Sequence, residues 1–130
     1  PERYERLREV LHAPSFYDLC LRQLGNKGFD IPADYLDRDW SQSNVPSKAV
    51  EAAWARVNTD PEKHWDLYEL AEKLIDLEQE FAMWRFSHMK TVERIIGYRQ
   101  GTGGTSGVAF LEKALKLRFF PELWTVRSEL

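Results

Sequence analysis

One histidine, one glycine-rich run and a set of carboxylates are the places where this sequence can carry chemistry. His88 stands in WDLYELAEKLIDLEQEFAMWRFSHMKTVERIIG, residues 65–97, where apolar residues recur at Leu67, Leu70, Leu74, Leu77, Phe81, Trp84, Val92 and Ile95. Those steps of three and four define one face of a helix, and His88 falls in the same phase. A lone histidine on such a face has two readings. It is a core residue satisfied by hydrogen bonds, or it is the proximal ligand of a haem, which needs one neutral imidazole presented from a rigid helix into an aromatic-lined space. A zinc or non-haem iron site fares worse, because His12, His64 and His88 share no ligand spacing.

The run GTGGTSG, residues 101–107, invites a phosphate-loop reading, but a helix precedes it and it holds no lysine. Both the Walker loop and the dinucleotide fingerprint need a preceding strand. What remains is three hydroxyls, Thr102, Thr105 and Ser106, beside backbone donors, either as a lid over a small polar ligand or as a plain connection between helices. Glu69, Glu72, Glu78 and Glu80 with Lys73 and Arg85 suggest a di-iron bundle only until the spacing is read. Such sites use Glu-x-x-His, and Arg85 stands three residues before His88. Most of these charges are expected to form a solvated helix face.

The elements that must position these groups are helices. Asp60-Pro61 is a start signal and Gly97 a stop, with no proline or glycine between Pro61 and Gly97. A helix from Asp60 to Ile96 is on the order of 50 Å long, and its apolar stripe needs a large cover. Upstream, Tyr4, Leu7 and Leu11 mark a helix stopped near Pro14. Ser15 caps a second helix that runs through Phe16, Leu19, Cys20 and Leu24 to Gly25, and Ala33 to Asp37 form a short helical turn before an ordered connection at 39–46. Ser47 caps a further helix whose apolar face is Val50, Ala53, Trp54 and Val57. Segments 108–117 and 121 onward, the latter opened by Pro121, complete the set. No stretch alternates like a strand, so the fold class is all-α, a helical bundle built around one long helix.

Composition excludes several classes. Eighteen basic and twenty-one acidic residues give a net charge of −3 without long runs, which argues against nucleic acid as a partner. Cys20 is the sole cysteine, so no intrachain disulfide forms and a reducing compartment, the cytoplasm, is expected. The apolar runs are too short for a membrane span and no signal-peptide pattern opens the chain. Pro1 followed at once by helical sequence suggests that an upstream part has been removed or belongs to another polypeptide.

The run from Trp65 to Leu130, with APSFYDLCLRQL, IPADYLDRDW and VEAAWARV before it, resembles the tryptophan 2,3-dioxygenase family over essentially all 130 residues. WRFSHMKTVERIIG followed by GTGGTSG is the specific part of that match. The resemblance implies a haem enzyme, with haem b as cofactor, that inserts O2 across the indole C2–C3 bond of L-tryptophan to give N-formylkynurenine. It implies that His88 is the proximal iron ligand and that Thr102 contacts the amino and carboxylate end of the substrate. Gly101, Gly103 and Gly104 then match the loop that orders over it. Ser87 departs from the pattern, since a basic residue is expected before the histidine.

In the family, the distal histidine, the substrate-binding arginine and the aromatic enclosure of the indole lie in an N-terminal half with no counterpart in residues 1–130. The whole chain is thus expected to be a single C-terminal portion, with the N-terminal half as a separate or cleaved partner chain and a homotetramer as the assembly. Two other expectations are a haem-free helical interaction module and a related haem enzyme acting on another indole or aromatic amino acid.

Overall fold

The computed structural model describes residues 1–99 and 106–129. Seven helices occur among them: α1 Glu2–Leu11, α2 Phe16–Asn26, α3 Ala33–Leu36, α4 Lys48–Thr59, α5 Trp65–Ile96, α6 Gly107–Ala114 and α7 Pro121–Glu129. No β-strand occurs among the described residues, in line with the all-α expectation. The chain divides into two compact units, Pro1–Ala71 with Phe120–Leu130, and Glu72–Phe119.

The first unit is built on capped amphipathic helices. Ser15 caps α2 through a reciprocal box, its hydroxyl accepting from the Asp18 N–H while the Asp18 carboxylate accepts from the Ser15 N–H at 2.9 Å. Asp18 is buried and paired with Arg38 at 2.9 Å. Burial alone would raise its carboxyl. The hydrogen bonds from Ser15 and the Arg38 guanidinium outweigh that and hold it below the usual carboxylate range. Arg38 also donates to the carbonyls of Asp39 and Gln42 and to the Asn44 side chain. One guanidinium therefore adds two carbonyl contacts to the 37–46 connection, whose own bonds include the Gln42 N–H to the Asp39 carbonyl and the Ser41 N–H to the Asp39 carboxylate.

The expected apolar face of α4 is buried in full: Val50, Ala53, Trp54 and Val57. It packs on α7, which contributes Leu123 and Val126 to the same core. Each fully buried side chain of this kind is worth roughly 1.5–3 kcal/mol relative to leaving it in water. Ser47 occupies the N-cap position of α4, but its hydroxyl makes no cap bond. Its backbone N–H donates instead to Oε1 of Glu122 at 3.2 Å, and the same carboxylate accepts from the Tyr17 hydroxyl. Glu122, 1% exposed, thus joins α2, the start of α4 and the first turn of α7. Burial pushes its carboxyl above the ordinary range even though both hydrogen bonds act to lower it, and burial beside that carboxylate pushes the Tyr17 phenol up.

α5 starts later than its sequence suggests. Residues 61–64 form a turn, closed by the Asp60 carbonyl accepting from the His64 N–H at 3.3 Å and the Asp60 carboxylate from the Lys63 N–H at 3.4 Å. Asp60 therefore caps that turn, and the α-helix proper begins at Trp65. Its 32 residues still span about 48 Å at 1.5 Å per residue. The stop lies where expected, at Gly97, whose φ of +59° is the left-handed conformation that glycine adopts without strain. Among the described residues no helix is long and apolar enough to cross a membrane.

Candidate functional site

The second unit carries the part of α5 that holds His88. Leu77, Phe81, Trp84 and Ile95 recur on that helix as expected, but they are exposed: 43% for Phe81, 61% for Trp84 and 72% for Ile95. His88 is exposed with them, so the expectation that it sits on the buried face is corrected. The physical reason is a second helical phase, one residue and about 100° further round. Glu78 and Met89 are buried and Arg85 half-buried in this phase.

The covering segment is held to that second phase by polar contacts. The Glu78 carboxylate accepts from the Phe119 N–H, and Arg85 Nη1 donates to the Leu117 carbonyl at 3.1 Å. The Arg85 guanidinium carbon lies 4.8 Å from the centroid of the Phe119 ring, which meets Phe81 edge-on at 5.4 Å. Residues 117–119 are thereby pinned to one side of α5 while the next side stays open. Glu78, at 1% exposure, is accordingly no member of a solvated face. Sequence reasoning missed this pair. The available signal was the spacing Glu78, Ala82, Arg85, Met89, a second three-and-four phase that mixes acid, base and apolar residues.

On the open side, a hollow of about 300 Å³ is lined by Leu77, Glu80, Phe81 and Trp84. One turn further on, the His88 imidazole stacks on the Trp84 indole with ring centroids 5.1 Å apart and planes 6° from parallel. Neither imidazole nitrogen has a hydrogen-bond partner among the described residues. His88 is therefore not a satisfied core histidine. Among the described residues no three His, Cys, Asp or Glu side chains gather to hold a metal ion. A single unpartnered imidazole on a flat apolar and aromatic surface fits one face of a haem, which is itself flat and apolar and takes one protein ligand per side. At Ser87 the carbonyl accepts from the Thr91 hydroxyl at 3.0 Å.

Gly101, Thr102, Gly103 and Gly104 lie outside the described residues, as does Thr105. Ser106 is described. Its hydroxyl accepts from the Ala109 N–H at 3.4 Å, capping α6.

Comparison with known proteins bears on the whole chain. The family model described as tryptophan 2,3-dioxygenase matches residues 48–130. The tryptophan 2,3-dioxygenase of Burkholderia lata is 54% identical over 130 residues, which is all of this chain and 42% of that protein. Those of Bacillus thuringiensis and Geobacillus thermodenitrificans are 55% and 52% identical over the same 130 residues, covering 47% and 46% of their lengths.

The chain belongs to the tryptophan 2,3-dioxygenase family. It spans less than half the length of these curated relatives. Family membership gives the open face of α5 its context, since WRFSHM carries both the unpartnered imidazole and the aromatic residues beside it.

Proposed function

We propose that this chain forms the proximal haem side and the substrate loop of a dioxygenase that converts L-tryptophan and O2 to N-formylkynurenine, both oxygen atoms entering the product across the cleaved indole C2–C3 bond. The observation that carries this reading is His88, exposed on an apolar face of α5 with neither ring nitrogen engaged among the described residues. His88 would hold the haem iron through its imidazole, and Leu77, Phe81 and Trp84, with Glu80 among them, would line the mainly apolar surface beside the group. Bound haem supplies the iron centre at which O2 is activated.

Thr102 orients the ammonium and carboxylate end of tryptophan through its hydroxyl. Gly101, Gly103 and Gly104 belong to the same substrate loop in this reading. Closing the loop excludes water from the reacting indole. The distal side comes from the part of the family's length that this chain does not span. The assembly is a cytoplasmic homotetramer in this reading. Exposed Tyr4, Leu7 and Leu11 on α1 and Met83 and Phe86 on α5 support burial of these faces in a larger body.

The experiment is product formation, followed by the absorbance of N-formylkynurenine, in protein that contains this chain together with the remainder of the family's length. Thr102→Ala raises the KM for tryptophan and leaves the haem spectrum unchanged, while His88→Ala abolishes turnover. Full turnover in His88→Ala refutes the reading.

A further inference from the structure

The imidazole of His88 lies against a ring, the indole of Trp84. Residues four apart on a helix lie one above the other, which places residue 84 directly beneath residue 88. The observed geometry uses that spacing fully, with a 5.1 Å centroid separation and a 6° interplanar angle. The torsion that turns an imidazole about its Cβ–Cγ bond is soft and broad. Ordinarily a hydrogen bond to one nitrogen fixes it. Here neither nitrogen has such a bond among the described residues, so the flat contact with the indole is what restricts the ring.

The neighbouring side chains are turned to other tasks. Arg85, three residues before His88, is taken up by the Leu117 carbonyl and the Phe119 ring. Lys90 lies over Phe86 and pairs with Glu93 at 3.5 Å. Among the described residues no charged side chain forms a hydrogen bond or ion pair with the imidazole. Stacking covers one face of the ring and leaves its edge, where both nitrogens lie, free to meet a ligand.

We infer that Trp84 is the positioning residue for the His88 imidazole, fixing the plane in which the axial donor meets the haem iron. This rests on the reading of His88 as the iron ligand. A pre-set ring plane has two consequences. It removes an ordering cost from haem binding, and it gives every molecule the same orientation of imidazole relative to the macrocycle. Both consequences belong to Trp84 and to no other residue on this face, because Phe81 contacts Phe119 rather than His88. Trp84 is largely exposed, so replacing it disturbs no core.

The test compares Trp84→Leu, which keeps apolar bulk but cannot stack, with Trp84→Phe, which can. In the haem-free chain, the His88 ring-proton resonances of the parent are shifted upfield by the indole ring current, and Trp84→Leu returns them to the positions of a free histidine. In the haem-loaded protein, the iron–histidine stretching band of Trp84→Leu is broadened and displaced, Trp84→Phe recovers the parent band, and the haem dissociation constant of Trp84→Leu rises about two- to twelve-fold, as expected for loss of a stacked aromatic pair. A Trp84→Leu protein with the parent's stretching band and haem affinity overturns the inference while leaving His88 as ligand. An iron–histidine band that survives in His88→Ala overturns both, because the ligand is then another residue.

Discussion

Tyr17→Phe isolates one hydrogen bond without changing the volume of the core. Tyr17 is 5% exposed and its hydroxyl donates to the carboxylate of Glu122, which is buried almost completely. A hydrogen bond to an ionised group contributes about 1.5–3 kcal/mol, against about 0.5–1.5 kcal/mol for a neutral pair. The Glu122 carboxylate keeps the Ser47 N–H at 3.2 Å after the substitution, so the loss falls on the phenol bond alone. The expected cost is therefore about 1.5–3 kcal/mol where Glu122 is ionised, and about half of that where it is protonated.

The sign with pH follows from linkage. The phenol bond favours the ionised carboxyl, so removing it raises a folded pKa that burial already holds above the ordinary value of 4.5. The folded state then holds its proton to higher pH than the unfolded chain does. Stability falls as pH rises from the unfolded value through the folded one, and it falls further in Tyr17→Phe than in the parent. Urea unfolding of the two proteins at pH 7 and pH 4, with equal slopes against denaturant, measures the difference at each pH. A cost below about 0.5 kcal/mol at pH 7, or one that does not shrink on acidification, refutes the assignment of this bond as charge-assisted.

Two further perturbations test the first unit. Asp18→Ala removes the carboxylate half of the α2 capping box, leaving the Ser15 hydroxyl on the residue-18 N–H, and takes from Arg38 its buried partner, for a loss of about 3–5 kcal/mol at neutral pH. Because the folded pKa of Asp18 lies below 3.8, the stability it contributes is present above that value and is lost as pH falls through the folded pKa, so urea midpoints at pH 7 and pH 3 converge between parent and variant. Cys20 is buried and its thiol is pushed up to about 11 by that burial. It is expected to react with a thiol reagent only after unfolding, and the reaction rate with and without urea checks this.

Much of the fold was legible because several helices carry their own start, stop or phase signal. Ser15 caps α2, Val50, Ala53, Trp54 and Val57 keep one helical phase, and Gly97 ends α5 in the left-handed conformation. What the sequence hid is which of two phases on α5 turns inward. The apolar stripe through Leu77, Phe81, Trp84 and His88 looked like the core side, yet the covering segment is fastened to the other side by Glu78 and Arg85. Hydrophobic periodicity registers an apolar face but not the partner against which it is buried. Buried carboxylates are hidden for a related reason. Glu78, Asp18 and Glu122 read as surface charges until their donors, from residues as distant as 105 positions along the chain, are known.

The site divides along the same line. His88 and its aromatic neighbours were readable from spacing, and family resemblance gave the histidine its role. Its exposure and its stacking on Trp84 required coordinates, because both depend on side-chain placement around the helix. Thr102 and the glycines beside it rest on resemblance and lie outside the described residues.

Ligand replacement at His88 tests the central claim most directly. His88→Gly deletes the imidazole from an exposed face where it makes no hydrogen bond among the described residues, so it opens no cavity in the core and costs about 1 kcal/mol of helix propensity. Haem-loaded His88→Gly is expected to lose the iron–histidine stretching band and to regain one on addition of free imidazole. A band that persists in His88→Gly without imidazole contradicts the account, since the proximal ligand then lies elsewhere.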